Sequence, residues 1–120
     1  MVRFTKVITI AAAVAASAAL LQTAGATEFN KADAGKIQTY VQSKGLACMS
    51  CHGIDNKIVG PAWTSVAKKY KGDPKAEALL TDRIANGGSG TWGSTPMPPG
   101  MATPAQAKVL AKLILNLDSK

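Results

Sequence analysis

A chain of 120 residues is long enough for one domain and no more. Its formal charge of +7 comes without any Lys/Arg run longer than two and without interleaved aromatics, which argues against a nucleic-acid surface. Two cysteines and one histidine are too few for a four-ligand zinc site built from these residue types.

Residues 1–26 read as a secretory signal peptide rather than as part of the fold. Arg3 and Lys6 form a short basic start, Val7 to Leu21 is an alanine-dominated apolar run, and Ala24-Gly25-Ala26 supplies a small-residue cleavage site. The alternative, an uncleaved anchor, asks for about 20 solidly apolar residues, more than this run offers. Cleavage after Ala26 leaves Thr27 to Lys120, 94 residues with 12 basic and 7 acidic side chains, a formal +5. A basic surface of this size can steer the chain to an acidic partner or simply keep it in solution.

The mature chain predicts four helices and no strand. Lys31 to Lys44 places Ala34, Ile37, Tyr40 and Val41 on one face, with Asn30 or Thr27 as its cap and Gly45 as its stop. Then comes Cys48-Met49-Ser50-Cys51-His52. Two thiols at i and i+3 with a histidine directly after the second match a c-type haem attachment site. Each thiol can add across one vinyl group of a haem, and the histidine is carried beneath the porphyrin, within reach of its iron. A thioredoxin-like CxxC belongs in a βαβ setting, which this sequence lacks. A plain disulfide is the ordinary use of two cysteines in a secreted chain. A haem has the further merit of supplying apolar surface to a small chain with only two Phe, two Tyr and two Trp.

Gly53 to Gly60 reads as a loop. Ala62 to Lys71 is a short helix with Pro61 at its first position, and Trp63, Val66, Ala67 and Tyr70 share a face. After Gly72-Asp73-Pro74, Lys75 to Asn86 forms a third helix capped by Asp73, with Ala76, Leu79, Leu80, Arg83 and Ile84 in phase. Residues 87–103 are rich in glycine and proline and are expected to be irregular. Thr103 caps the last helix, Pro104 takes its first turn, and Ala107, Leu110, Leu113, Ile114 and Leu117 line one face down to Asp118.

His52 is the only histidine, so a second strong iron ligand from this chain has to be methionine, or the sixth position is open. Met1 leaves with the leader, and Met49 is held inside the attachment loop on the histidine side. Met97 and Met101 remain. Met97 lies in Pro96-Met97-Pro98-Pro99, a stiff segment that holds a weak thioether ligand at little entropic cost. Met101 is adequately explained by packing. Histidine with methionine raises a haem's potential and fills both axial positions, a site suited to moving single electrons.

These segments resemble the class I c-type cytochromes, specifically the small bacterial cytochrome c551/c8 group, over about Ile37 to Leu117. Besides CMSCH, Ile58-Val59-Gly60-Pro61-Ala62-Trp63 is similar to the family's loop in which a proline carbonyl accepts a hydrogen bond from the proximal histidine. The resemblance implies that Pro61 fixes the tautomer of His52. Asp82 to Gly93 resembles the segment whose arginine and tryptophan contact the haem propionates, which implies Arg83 and Trp92; a carboxylate wants such donors. Ser94 to Gly100 is similar to the methionine-ligand loop and selects Met97 over Met101. Where the family often has asparagine after the double proline, Gly100 stands here, so a side-chain amide contact to the ligand sulfur does not carry over.

The fold implied is all-α, a small class I cytochrome c fold with about four helices wrapped around one haem c. The haem is bound through Cys48 and Cys51, with His52 and Met97 on iron and Pro61, Arg83 and Trp92 around it. The function implied is a periplasmic single-electron carrier, monomeric and without turnover of its own. It would meet transient redox partners and use neither nucleic acid nor stable membrane insertion. The alternatives are a haem subunit or peroxidase-like enzyme with an open distal site, and a haem-free thiol–disulfide protein.

Overall fold

In the computed structural model, which describes residues 29–118, four helices carry the fold. The leader expected over residues 1–26, and Thr27 as a candidate cap, lie outside the described residues.

Helix α1 spans Lys31–Ser43. Asn30 caps it, its side-chain oxygen accepting from the amides of Ala32 and Asp33 and so satisfying two of the donors a helix start leaves over. Its last turn closes with Gly45 at φ +64. The Gly45 amide donates to Gln42 O at 3.1 Å and the Leu46 amide to Val41 O at 2.9 Å, the paired bonds of a Schellman stop. That stop turns the chain sharply into a single 3-10 turn over Cys48–Ser50.

Helix α2 is Trp63–Lys69, shorter than the pattern suggests and starting two residues later than Pro61. The reason is local. Ala62 is extended (φ −58, ψ 140) and has no capping side chain. The first amides of α2, on Trp63 and Thr64, donate instead to the carbonyls of Gly53 and Ile54 at 3.0 and 2.9 Å. The loop after the cysteines thus caps the helix that follows it.

Helix α3 is Ala76–Asn86. Asp73 is not its N-cap residue, but its carboxylate accepts from the Lys75 amide at 2.8 Å just ahead of the helix. Its buried stripe is Ala76, Leu80, Ile84 and Ala85; Leu79, expected in that stripe, is 38% exposed. Buried positions four apart put Leu79 on the stripe's edge, and Ala85 takes the inward place beside Ile84.

The expected irregular stretch contains a short antiparallel hairpin, β1 Gly88–Gly90 with β2 Gly93–Met97. Gly88 pairs with Met97 and Gly90 with Gly93, with an irregularity between the two pairs. Small glycines and the absence of apolar–polar alternation hid this strand pair from the sequence. It is nearly all exposed and adds nothing to the core.

Helix α4, Pro104–Leu115, has the capping box that Thr103 and Gln106 make together, the threonine hydroxyl accepting from the Gln106 amide and Gln106 Oε1 from the Thr103 amide. It ends in one 3-10 turn, Asn116–Asp118, rather than running on as α-helix. Helix α4 is the hub: α1, α2 and α3 all pack on it, α3 most extensively. The Asn30 amide donates to Leu117 O at 3.1 Å and ties the two ends of the described residues together. The most deeply buried large side chains are Ile37 and Val41 of α1, Leu110 of α4 and Leu117 of the final 3-10 turn. No helix among the described residues is long and apolar enough to cross a membrane.

Candidate haem site

The hub helix and α3 leave one wall open. A cleft of about 370 Å³ is lined by residues of the Cys48–Trp63 loop and by the hairpin with Met97 and Pro98. Leu80, Ile84, Leu110 and Ile114 form its apolar floor. Cys48, Cys51, His52, Pro61, Arg83, Trp92 and Met97, all picked out in the sequence, line it; Met49 and Met101 do not.

His52 is held on every side. Its Nδ1 lies 2.9 Å from the Pro61 carbonyl oxygen. A carbonyl only accepts, so Nδ1 carries the proton and Nε2 is the nitrogen left with a lone pair. The ring stacks on Trp63 with centroids 5.7 Å apart and planes 17° from parallel. Beneath it is Gly60. A Cβ there would come within 2.8 Å of Nδ1 and 2.9 Å of Nε2, so any side chain at this position would drive the imidazole off its seat. Gly60 is in turn pinned by its amide, which donates to Cys51 O at 2.8 Å.

Neither cysteine is in a disulfide. Cys48 is buried, and burial pushes its thiol above the ordinary value; the Cys51 charge adds to this, and a backbone hydrogen bond opposes it. A reactive CxxC needs the opposite, a thiol lowered toward the thiolate. Among the described residues no three His, Cys, Asp or Glu side chains gather as metal ligands. An imidazole with one bound nitrogen, two unpaired sulfurs and an apolar floor fit a covalently attached haem.

In the same cleft, Met97 is half-buried at the end of β2. The chain leaves it through Pro98 and Pro99 and returns to α3, where the Gly100 amide donates to Ala85 O at 2.9 Å. Gly100 has φ +75, a left-handed conformation that asparagine also tolerates. Glycine here keeps the turn and omits the amide. At the cleft's rim, Arg83 lies against Gly88, and Trp92 is 41% exposed with Lys69 Nζ 5.6 Å from its ring centroid.

Two residues of this site were not singled out from the sequence. Trp63 was expected only as a core residue of α2, and Gly60 only as the end of a loop. The signal for both was their place beside Pro61, since a proline carbonyl aimed at a histidine leaves its neighbours against the same ring.

Comparison with known proteins agrees. The cytochrome c family model matches residues 44–118, and the chain belongs to that family. It is 51% identical over 75 residues to cytochrome c-552 of Hydrogenobacter thermophilus, covering 62% of this chain and 76% of that one. To cytochrome c-551 of Pseudomonas aeruginosa it is 48% identical over 73 residues, 61% of this chain and 70% of the other. Among solved structures, wild-type Nitrosomonas europaea cytochrome c552 superposes with a TM-score of 0.61 at 38% identity, covering 68% of this chain and 99% of that one. Membership makes this chain an all-α haem protein of electron transport and implies a covalently bound haem c, for which the two cysteines are present.

Proposed function

We propose that the protein is an exported, periplasmic single-electron carrier whose haem c is joined to Cys48 and Cys51 and ligated by His52 and Met97. The observation that carries this reading is the seating of His52, with Nδ1 bonded to Pro61 O, Trp63 stacked on the ring and Gly60 close beneath it. Such a ring presents one nitrogen in one direction. When bound, the haem supplies an iron that accepts and returns one electron. The chain's task is to keep two neutral ligands in place in both states, to exclude water with the α3–α4 floor, and to offer Arg83 and the Trp92 indole as donors to the propionates. With His52 and Met97 both holding the iron, no ligand position would remain for substrate, so no turnover is expected.

The ferric spectrum of exported protein tests this. The weak far-red band of thioether-ligated haem should be present, vanish in Met97→Ala and survive in Met101→Ala. High-spin ferric features in the native protein would instead select an open-site enzyme.

A partner is expected to dock transiently where the Cys51–Pro61 loop borders the cleft. Ile58 and Val59 are 49% and 53% exposed there, a small apolar area suited to brief redox encounters. Lys57 at the cleft, and Lys68 and Lys69 in the last turn of α2, supply positive charge nearby; Lys71 is already 3.5 Å from Asp118. Electron exchange with an acidic partner should therefore slow as ionic strength rises. A rate unchanged by salt in stopped-flow removes the steering role of these lysines. The carrier is expected to act as a monomer.

A further inference from the structure

We infer that Gly87 is the positioning residue for the Met97 side of the site, because the absence of a side chain there is what lets the methionine strap lie down on the end of α3. The inference rests on Met97 being the iron ligand.

Gly87 caps α3 with φ +70 and ψ −160, a backbone region open essentially to glycine alone. Its amide still donates to Arg83 O at 2.9 Å, so the helix end is intact where the strap crosses it. A Cβ built at Gly87 would lie 2.8 Å from the carbonyl carbon of Pro98 and 2.9 Å from the nitrogen of Pro99, and closer still to Met97 O. All three are backbone atoms of a proline-stiffened segment, and none can rotate out of the way. To restore an ordinary contact of 3.4 Å to the Pro98 carbon alone the strap has to retreat by about 0.6 Å, and it must move further to clear Met97 O. Metal–ligand distances tolerate about 0.2 Å. The strap cannot pivot freely either, since its far end is tied by the Gly100 amide to Ala85 O at 2.9 Å. Met97 is thus set by a seat on α3 as well as by the stiffness of its own prolines.

Gly100 provides a comparison on the strap itself: its φ is also positive, at +75, yet a Cβ there meets nothing within 4 Å. The experiment compares exported holoprotein of the wild type, Gly87→Ala, Gly100→Ala and Met97→Ala by the ferric far-red band and by titration with imidazole, which competes for the methionine's position. Gly87→Ala should lose most of the band and bind imidazole about tenfold more tightly or better. Gly100→Ala should keep the band and the wild-type imidazole affinity. If wild type has the band, Met97→Ala loses it and Gly87→Ala behaves as wild type, the role of Gly87 is overturned while the ligand stands. Equal losses in Gly87→Ala and Gly100→Ala also overturn it, since strain rather than contact is then responsible. A wild type without the band removes the ligand itself. Should Gly87→Ala fail to accumulate, amide exchange in the wild type decides: a protected Gly100 N–H supports the seated strap, and fast exchange rules it out.

Discussion

Exported protein in which both Cys48 and Cys51 are replaced by alanine should carry no haem after acid–acetone extraction and should fail to hold its native fold at room temperature. The first half follows from the chemistry, because no other thiol exists in the chain. The second half follows from packing. Leu80, Ile84, Leu110 and Ile114 face the cleft, and the core of Ile37, Val41, Leu110 and Leu117 shares α4 with it. Without a haem the cleft of about 370 Å³ leaves those apolar side chains against water, and the whole stability of a small domain is only about 5–15 kcal/mol. The cofactor is therefore expected to decide between folded and unfolded chain. Circular dichroism of the exported double variant, with intact mass on the same sample, checks both halves. A well-folded, colourless protein would show that the four helices pack adequately without it.

That dependence explains which parts of the molecule were legible in the sequence. Helices α1 and α4 were read nearly to their ends because Asn30, Gly45, Thr103 and Pro104 are local punctuation that acts without the rest of the fold. The start of α2 was misplaced because Pro61 is occupied elsewhere: its carbonyl serves His52, and the helix's first amides go to Gly53 and Ile54. Leu79 was misassigned because periodicity defines a stripe but not which edge a neighbour covers. The hairpin was missed because its strands are made of glycine, serine, threonine and proline, and nothing in their pattern alternates. Site residues with distinctive chemistry, namely cysteine, histidine, methionine, arginine and tryptophan, stood out and converge on one cleft. Gly60 and Gly87 act through an atom they lack, and only the positions of their neighbours reveal it.

Met97→His should lower the midpoint potential by on the order of 0.1 V or more, within the roughly 0.8 V that axial ligation spans. The sign comes from the ligand's basicity. A thioether donates weakly and favours the ferrous state, whereas a second imidazole nitrogen stabilises the ferric state. The size of the effect depends on where residue 97 sits. Met97 is half-buried and lines the same cleft as His52, and the two prolines after it restrict the backbone in every state of the protein. A histidine introduced there is presented to the same space with no large rearrangement of the strap. Met101→His, outside the cleft lining and just ahead of Thr103, should leave the potential within experimental error. Equilibrium redox titration of the two variants beside the wild type makes the comparison. A potential unmoved by Met97→His, or moved equally by Met101→His, would mean that the iron's second neutral ligand is not Met97. The same result would deprive the carrier of the filled, unchanging coordination on which rapid one-electron exchange depends.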